Sequence, residues 1–592
     1  MDARSFVSLA LVTCVVTFPV SSPAAIAVDP TLTDISAGLT GVSEAAVAWG
    51  DYDNDDDLDL LITGVAGGVA VAKLYRNTAG AFADAAAGLV GVYDGAAAWA
   101  DIDNDGDLDL ALCGEIGSGP VTRVYRNNGG VFADVVAGLP GVFYSSLAWG
   151  DYDSDGRVDL AISGETGAGA ITRVYRNTGA GFVDSGAAFP GLFFCSLSWS
   201  DFDKDGDLDF SMAGQTGAGA VTRIYRNTAG NFADAGAALQ GVSFGALAWG
   251  DYDNDGDPDL ALTGDTGSGE ITRIYRNTAG AFADAGAGLP GMSFSALAWG
   301  DADDDGDLDL LLAGSSGASA IARVYRNTAG SFADMGAGLP GVSFSALAWG
   351  DYDNDRDLDL VLTGDASGTA LARIYRSTGA PANTAPTAPS GLSVTSDATT
   401  ITFHWLAATD TQTPGGGLSY NLRIGATASG VEVLSPMAAL AGGYRRVVQV
   451  GNAGQNLQWS VARAGIPAGF SWSVQAIDAA FAGSPFANGP AVGIGDALGP
   501  SALALGPAAP NPFTTASRIP FALPHAGRVE LSIYDVTGRR VKRLIDGDRP
   551  AGSHRAEWEG DDDAGQRVPP GVYLCRLRMG ADEAHGRLLR IE

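Results

Sequence analysis

FADAGAALQGVSFGALAWGDYDNDGDPDLALTGDTGSGEITRIYRN, residues 232–277, decides the fold. It holds four short alternating runs, FADAGA, GALAWGD, PDLALTG and EITRIYRN, each bounded by Gly, Asp, Asn or Pro. That is the pattern of a four-stranded antiparallel meander. The tryptophan of its AWG phrase, or a variant of that phrase, recurs at Trp49, Trp99, Trp149, Trp199, Trp249, Trp299 and Trp349, a fixed spacing of 50 residues. A sheet this small cannot bury both of its faces. Repeated radially it can, because each sheet packs on two neighbours and closure removes the free ends. The reading is an all-β chain: a seven-bladed β-propeller followed by two β-sandwich domains. Residues Leu32 to Leu39, LTDISAGL, match the outer-strand text at Phe282 to Leu289, and that strand is missing after Tyr375-Arg376. The N-terminal strand is therefore expected to complete the last blade. An open solenoid is the alternative; it needs capping repeats, and neither end reads as one.

An Asp-rich nonapeptide follows each tryptophan strand. Its alternate carboxylates, with a glycine at position six for the sharp turn, wrap oxygen ligands around one hard cation, the logic of the first half of an EF-hand loop. The candidate ligands are Asp51, Asp53, Asp55, Asp57 and Asp59; Asp101, Asp103, Asp105, Asp107 and Asp109; Asp151, Asp153, Asp155, Arg157 and Asp159; Asp201, Asp203, Asp205, Asp207 and Asp209. Asp251, Asp253, Asp255, Asp257 and Asp259, then Asp301, Asp303, Asp305, Asp307 and Asp309, then Asp351, Asp353, Asp355, Asp357 and Asp359 complete the set. Positions one, three, five and nine are assigned side-chain oxygens and position seven its backbone carbonyl, so Arg157 leaves the third site intact. The nonapeptides contain 36 Asp and three basic residues (Arg157, Lys204, Arg356), a net of −33 against −34 for the chain. Acid this concentrated repels itself unless cations neutralise it, so up to seven Ca²⁺ ions are expected. Asp56 and Arg356 replace the position-six glycine. Arginine disfavours a left-handed backbone and adds positive charge, so the seventh site is expected to be weak or empty.

The stretch from Phe244-Gly245 to Gly264, FGALAWGDYDNDGDPDLALTG, resembles the FG-GAP or VCBS-type repeat of integrin-α-like propellers, over roughly residues 30 to 377. The resemblance implies seven blades with calcium between the first and second strands of each.

The expected domain plan is a signal peptide at 1–27, the propeller at 28–377, a Pro/Thr-rich linker at 378–390, a sandwich at 391–497 and a second at 498–592. The leader sets Arg4 before an apolar run from Phe6 to Val20 and ends in Ala25-Ile26-Ala27, which fits signal-peptidase cleavage. No later segment is apolar enough to span a membrane. TITFHWLAA, LSYNLRIG and FSWSVQAIDAAFAGSP, with core candidates Trp405, Tyr420 and Trp472, resemble a fibronectin type III domain, from which Ala426 to Gly454 departs. Asn511-Pro512-Phe513, Tyr534-Asp535, Gly538, Trp558 and Gly571-Val572-Tyr573 resemble the Ig-like domain shared by flagellar hook-capping proteins and C-terminal type IX sorting domains. That resemblance implies the secretion machinery as a partner and a secreted or cell-surface location.

The four histidines, His404, His525, His554 and His585, all lie in the sandwiches, so no histidine-based catalytic site can assemble on the propeller. The chain is read as a non-catalytic binding or adhesion protein for a cell-surface glycan or protein. The acidic charge disfavours nucleic acid. A purely architectural surface-layer role is the alternative, and a carbohydrate-active enzyme a more distant one. On the face away from the acidic loops, Tyr144, Phe194, Phe244, Phe294 and Phe344 recur in register, either to pack between blades or to stack on sugar rings.

Overall fold

A computed structural model describes residues 29–591 apart from 398, 468, 491, 494–502, 507, 524–526, 551 and 581. The expected signal peptide and the junction expected between 497 and 498 lie outside the described residues. Among the described residues every regular element is a β-strand.

The fifth repeat shows the unit: Leu247–Gly250, Asp259–Asp265, Glu270–Thr278 and Ala281–Asp284 form one antiparallel sheet. Its second strand buries Leu260, Ala261 and Leu262 completely, because a neighbouring sheet covers each of its faces. Six such sheets follow one another along the chain. In the seventh, Ser343–Gly350, Asp359–Asp365 and Ala370–Arg376 gain their fourth strand from Thr33–Asp34, in the register Thr33↔Arg376 and Asp34↔Tyr375. The expected N-terminal completion is thus observed. Each first strand lies against the first strand of the next sheet, and Ser343–Gly350 lies against Ser43–Gly50. The contacts therefore run through all seven sheets and return to the first.

Two devices built from the repeated text recur at most of the seams. The glycine of AWG lets the next tryptophan lie flat on it: a Cβ at Gly250 would stand 2.7 Å from Trp299 Cδ1, and one at Gly350 would stand 2.8 Å from Trp49 Cδ1. The indole then donates back across the seam, Trp299 Nε1 to Ala248 O at 3.3 Å and Trp49 Nε1 to Ala348 O at 3.4 Å. Ser200 replaces that glycine in the fourth repeat, and the following Trp249 donates to Ser211 Oγ at 2.9 Å instead.

The second device is the asparagine of YRN. Asn227 Nδ2 donates to Leu208 O in its own loop and to Tyr152 O of the preceding repeat, at 3.0 and 2.7 Å, while its Oδ1 accepts from Gly230 N–H. Asn77 does the same against Tyr352, at 2.7 Å, and so joins the first repeat to the last. Sequence reading had placed this asparagine on a strand without assigning it a role.

The C-terminal half forms two separate cores. One gathers Trp405, Tyr420, Trp472 and Trp459 between the sheet of Ser390–Ser396, Thr400–Leu406 and Gln458–Ala462 and the sheet containing Ser419–Gly425 and Gly469–Ile477. The other centres on Trp558, with Phe513 and Tyr573 edge-on at 5.3 and 4.9 Å. Cys113 and Cys575 are buried free thiols, and Cys195 is a half-buried one.

Asn227→Ala leaves buried carbonyls at Leu208 and Tyr152 without their donor. At about 1–3 kcal/mol for each unsatisfied buried group, denaturant unfolding should show a loss of roughly 2–4 kcal/mol for the circuit of sheets. A loss below about 0.5 kcal/mol would show that the asparagine does not hold the seam.

Candidate metal centres and the two faces of the circuit

Each nonapeptide links the first strand of its sheet to the second, and hydrogen bonds within it fix its path. The position-one carboxylate accepts from the N–H groups of positions five and six, as Asp251 does from Asp255 and Gly256 at 3.1 and 2.8 Å. Position nine is buried and spans two elements: Asp259 Oδ2 accepts from Tyr252 N–H and Oδ1 from Asn277 N–H, at 3.2 and 2.7 Å. The side chain of position seven reaches the turn after the third strand, Asp257 Oδ2 accepting from Ala279 N–H at 2.9 Å. Position six is left-handed throughout, with φ of 90° at Gly256, 65° at Asp56 and 75° at Arg356. Arg356 N–H still reaches Asp351 Oδ2 at 3.0 Å, so the seventh loop keeps the path of the others despite the arginine.

One oxygen from each of positions one, three and nine lies within 4.8 Å of the others in the first four loops, and Asp251, Asp253 and Asp255 do the same in the fifth. The position-three Oδ1 is buried without a hydrogen-bond partner in all seven loops, at Asp53, Asp103, Asp153, Asp203, Asp253, Asp303 and Asp353. Hard cations take such oxygens. Burial, the largest cause, pushes Asp59, Asp109, Asp209 and Asp259 up to about 8, and Asp159 and Asp359 to about 9. Desolvation of this size favours protonation unless a positive charge is present.

Part of that charge is supplied by the chain itself. The arginine of YRN clamps the outer side of the loop, Arg276 Nε on Asp253 Oδ2 at 2.7 Å and Nη2 on Asp255 Oδ2 at 2.9 Å. The expectation that cations alone neutralise the loops is corrected to this extent, since the strand arginine was not included. Position four reaches the next repeat: Asn54 Nδ2 donates to Asp107 Oδ1 at 2.6 Å, Asn254 Nδ2 to Asp307 Oδ1 at 2.9 Å, and Lys204 Nζ pairs with Asp257 Oδ1 at 2.8 Å.

The second domain covers this acidic face. Gln455 Nε2 donates to Asp251 Oδ2 at 3.0 Å and Asn456 Nδ2 to Asp201 Oδ2 at 2.8 Å. Asp51 N–H donates to Arg446 O and Asp301 N–H to Ala479 O, at 2.9 and 3.1 Å. Val447, Val448, Gln449 and Phe481 close an axial cavity of about 250 Å³ against Trp49, Trp99, Trp299 and Trp349. Most of these docking residues lie in or beside Ala426 to Gly454, the stretch whose spacing departs from a fibronectin-type domain.

Seven residues in register surround the other end of the axis. Tyr144, Phe194, Phe244, Phe294 and Phe344 stack in sequence with centroids 4.1, 3.9, 4.7 and 4.5 Å apart, and Glu44 and Asp94 complete the turn. All seven are left-handed, with φ from 45° to 53°. Six of the first strands shift register just beside them, at bulges such as Phe143/Ser146. These aromatics pack on one another across the seams, and Phe344 is 40% exposed. Burial, then Glu44 and Glu115, pushes Asp94 up to about 7.

Comparison with known proteins places these features. The FG-GAP-like repeat family matches residues 101–162, 201–262, 251–312 and 301–362, and the FlgD Ig-like domain matches residues 514–581. No curated protein matches the chain. Similar solved structures include a fungal alcohol oxidase of the AA5 family in complex with copper, 14% identical over 79% of this chain and 100% of that one, with a TM-score of 0.41. The exotype rhamnogalacturonan lyase YesX is 13% identical over 77% and 88%, at 0.31. PorZ, a surface component of the type-IX secretion system of Porphyromonas gingivalis, is 11% identical over 92% and 81%, at 0.20. The chain thus carries FG-GAP-like repeats in its circuit of sheets and, near its C-terminus, an Ig-like domain similar to that of FlgD.

Proposed function

We propose that the chain is an exported, non-catalytic binding protein in which the seven sheets form a closed seven-bladed propeller of integrin-α-like type, loaded with calcium. The observation that carries the calcium reading is the buried, unpartnered position-three oxygen, repeated in seven loops. Calcium is structural in this reading, because the second domain, taken as fibronectin type III-like, sits over the acidic face. The aromatic end is then the free face, and its arc of rings offers a platform for sugar rings of a cell-surface glycan or for a protein side chain. Aromatic residues held left-handed store strain, and such strain gathers at functional sites. The FlgD-like domain supports a role as a type IX sorting signal and hence a secreted or surface location. Among the described residues no helix is long and apolar enough to cross a membrane.

Calcium should raise the melting temperature above that in EGTA. With affinities of roughly 10⁻⁴ to 10⁻³ M, as in extracellular modules, each site contributes about 1.4 kcal/mol at ten times its Kd. The pH dependence has a definite sign. Without ions, the raised position-nine carboxylates give stability that is full below the unfolded value, 3.8, and lost as pH rises toward 8 to 9. Bound calcium keeps the same groups ionised, so protons compete with it. Calorimetry should therefore show the EGTA form melting higher at pH 6 than at pH 9, and the calcium increment growing over the same interval. An increment absent at both pH values refutes the reading.

Phe294→Ala tests the aromatic face on glycan arrays. A platform residue loses binding with little change in melting, whereas a purely structural ring costs about 3–5 kcal/mol. For the sorting reading, residues 499–592 fused behind a signal peptide and a reporter should carry the reporter out of a host that has type IX secretion. Retention in the periplasm would reduce the domain to a plain sandwich.

A further inference from the structure

Position four joins four of the acidic loops to the position-seven aspartate of the next, and the copies serve as controls for one another. Asn54, Lys204 and Asn254 each bring a donor to the Oδ1 of the following position-seven aspartate, and Asn354 reaches Asp57 Oδ1 at 3.0 Å across the closing seam. In the sixth repeat the residue is Asp304, which brings an acceptor to an acceptor. Asp304 is 3% exposed, and neither of its oxygens has a hydrogen-bond partner. Asp357, the position-seven residue it faces, has a buried and unpartnered Oδ1, the atom that elsewhere accepts from position four.

Arg376 acts on Asp357 but is already paired with Asp353 and Asp355, at 2.7 and 2.8 Å. The carboxylates acting on Asp304 are Asp357, Asp478, Asp303 and Asp351, in that order. Asp478 is satisfied by Asn383 Nδ2 and by the N–H groups of Ala480 and Ala482, and Asp351 by those of Asp355 and Arg356. Arg326, which by register should clamp Asp303, pairs with Asp29 at 2.7 Å. A single shared proton makes one hydrogen bond between Asp304 and Asp357, and so leaves one of their three buried oxygens without a partner. A divalent ion has the coordination capacity to take all three as ligands and offsets both charges.

We propose that a hard divalent cation bridges Asp304 and Asp357 at the seam between the sixth and seventh sheets, a site additional to those of the loops. Its ligands come from two repeats, so it ties two sheets together, whereas a loop ion ties a loop to itself.

Native mass spectrometry of the full chain in calcium, with melting curves in calcium and in EGTA, tests this. Asp304→Asn should lose one Ca²⁺. It should also melt higher than the parent in EGTA, since the amide can donate to Asp357 Oδ1 as Asn254 donates to Asp307. Asp357→Asn should lose one ion as well, and the double variant should lose only one in total. Asp251→Asn, in a remote loop, reports on the loop sites alone. If Asp251→Asn loses an ion and Asp304→Asn does not, the bridge is refuted and the pair shares a proton. A loss of two ions in the double variant assigns them to the sixth and seventh loops and refutes the bridge equally. If none of the variants loses an ion, the loop reading falls together with the bridge.

Discussion

A buried carboxylate with two fixed tasks organises six of the seven seams of the circuit. The position-nine aspartate holds its own loop through the N–H of position two and the third strand through the N–H of the YRN asparagine. That asparagine in turn reaches the preceding repeat, as Asn277 Nδ2 does to Phe202 O at 2.8 Å. Loop, sheet and neighbour are thus linked by one continuous hydrogen-bonded path, and cooperative networks of this kind are sensitive to any missing member. The tryptophan on its glycine supplies apolar area at the same seam, but the aspartate fixes the angle at which the loop leaves it. In the seventh repeat Ser377 stands where the asparagine belongs, and its hydroxyl is buried without a partner. The chain leaves the circuit at that point.

Much of this was legible in the sequence because the signal is periodic. A spacing of 50 residues counts the sheets, the two-residue alternation places four strands in each, and a stray copy of the outer-strand text at Leu32 to Leu39 locates the closing pair. The acidic loops were legible for the same reason. What escaped notice was whatever joins residues distant in the chain. The partner of Asn127 is Tyr52, 75 positions earlier, and nothing local to either residue announces it. The recurrence of YRN in six of the seven repeats was the available signal, since a strand end exposed to solvent has no need to be asparagine each time.

The role of the acidic loops' environment was legible only as an irregularity. The departure of Ala426 to Gly454 from ordinary sandwich spacing is where the second domain leaves its own core to meet the circuit of sheets. Sequence reasoning registered the departure without a reason for it. The reason lies in a surface that the domain's own text does not contain.

A surface with seven equal sectors presents a docking domain with seven equal ways to sit, and a single domain can use only one. The acidic loops are not equal where it matters. Position four reads Asn54, Asn104, Ser154, Lys204, Asn254, Asp304 and Asn354, while the residues that build each loop vary far less. Asn104 accepts from Ser435 N–H and donates to Val433 O, a match that a lysine or an aspartate in its place does not offer. Small differences among near-identical repeats thus work as a key: they turn a rotationally ambiguous seat into one with a single orientation, and they do so at the one loop position free to change without disturbing the loop itself.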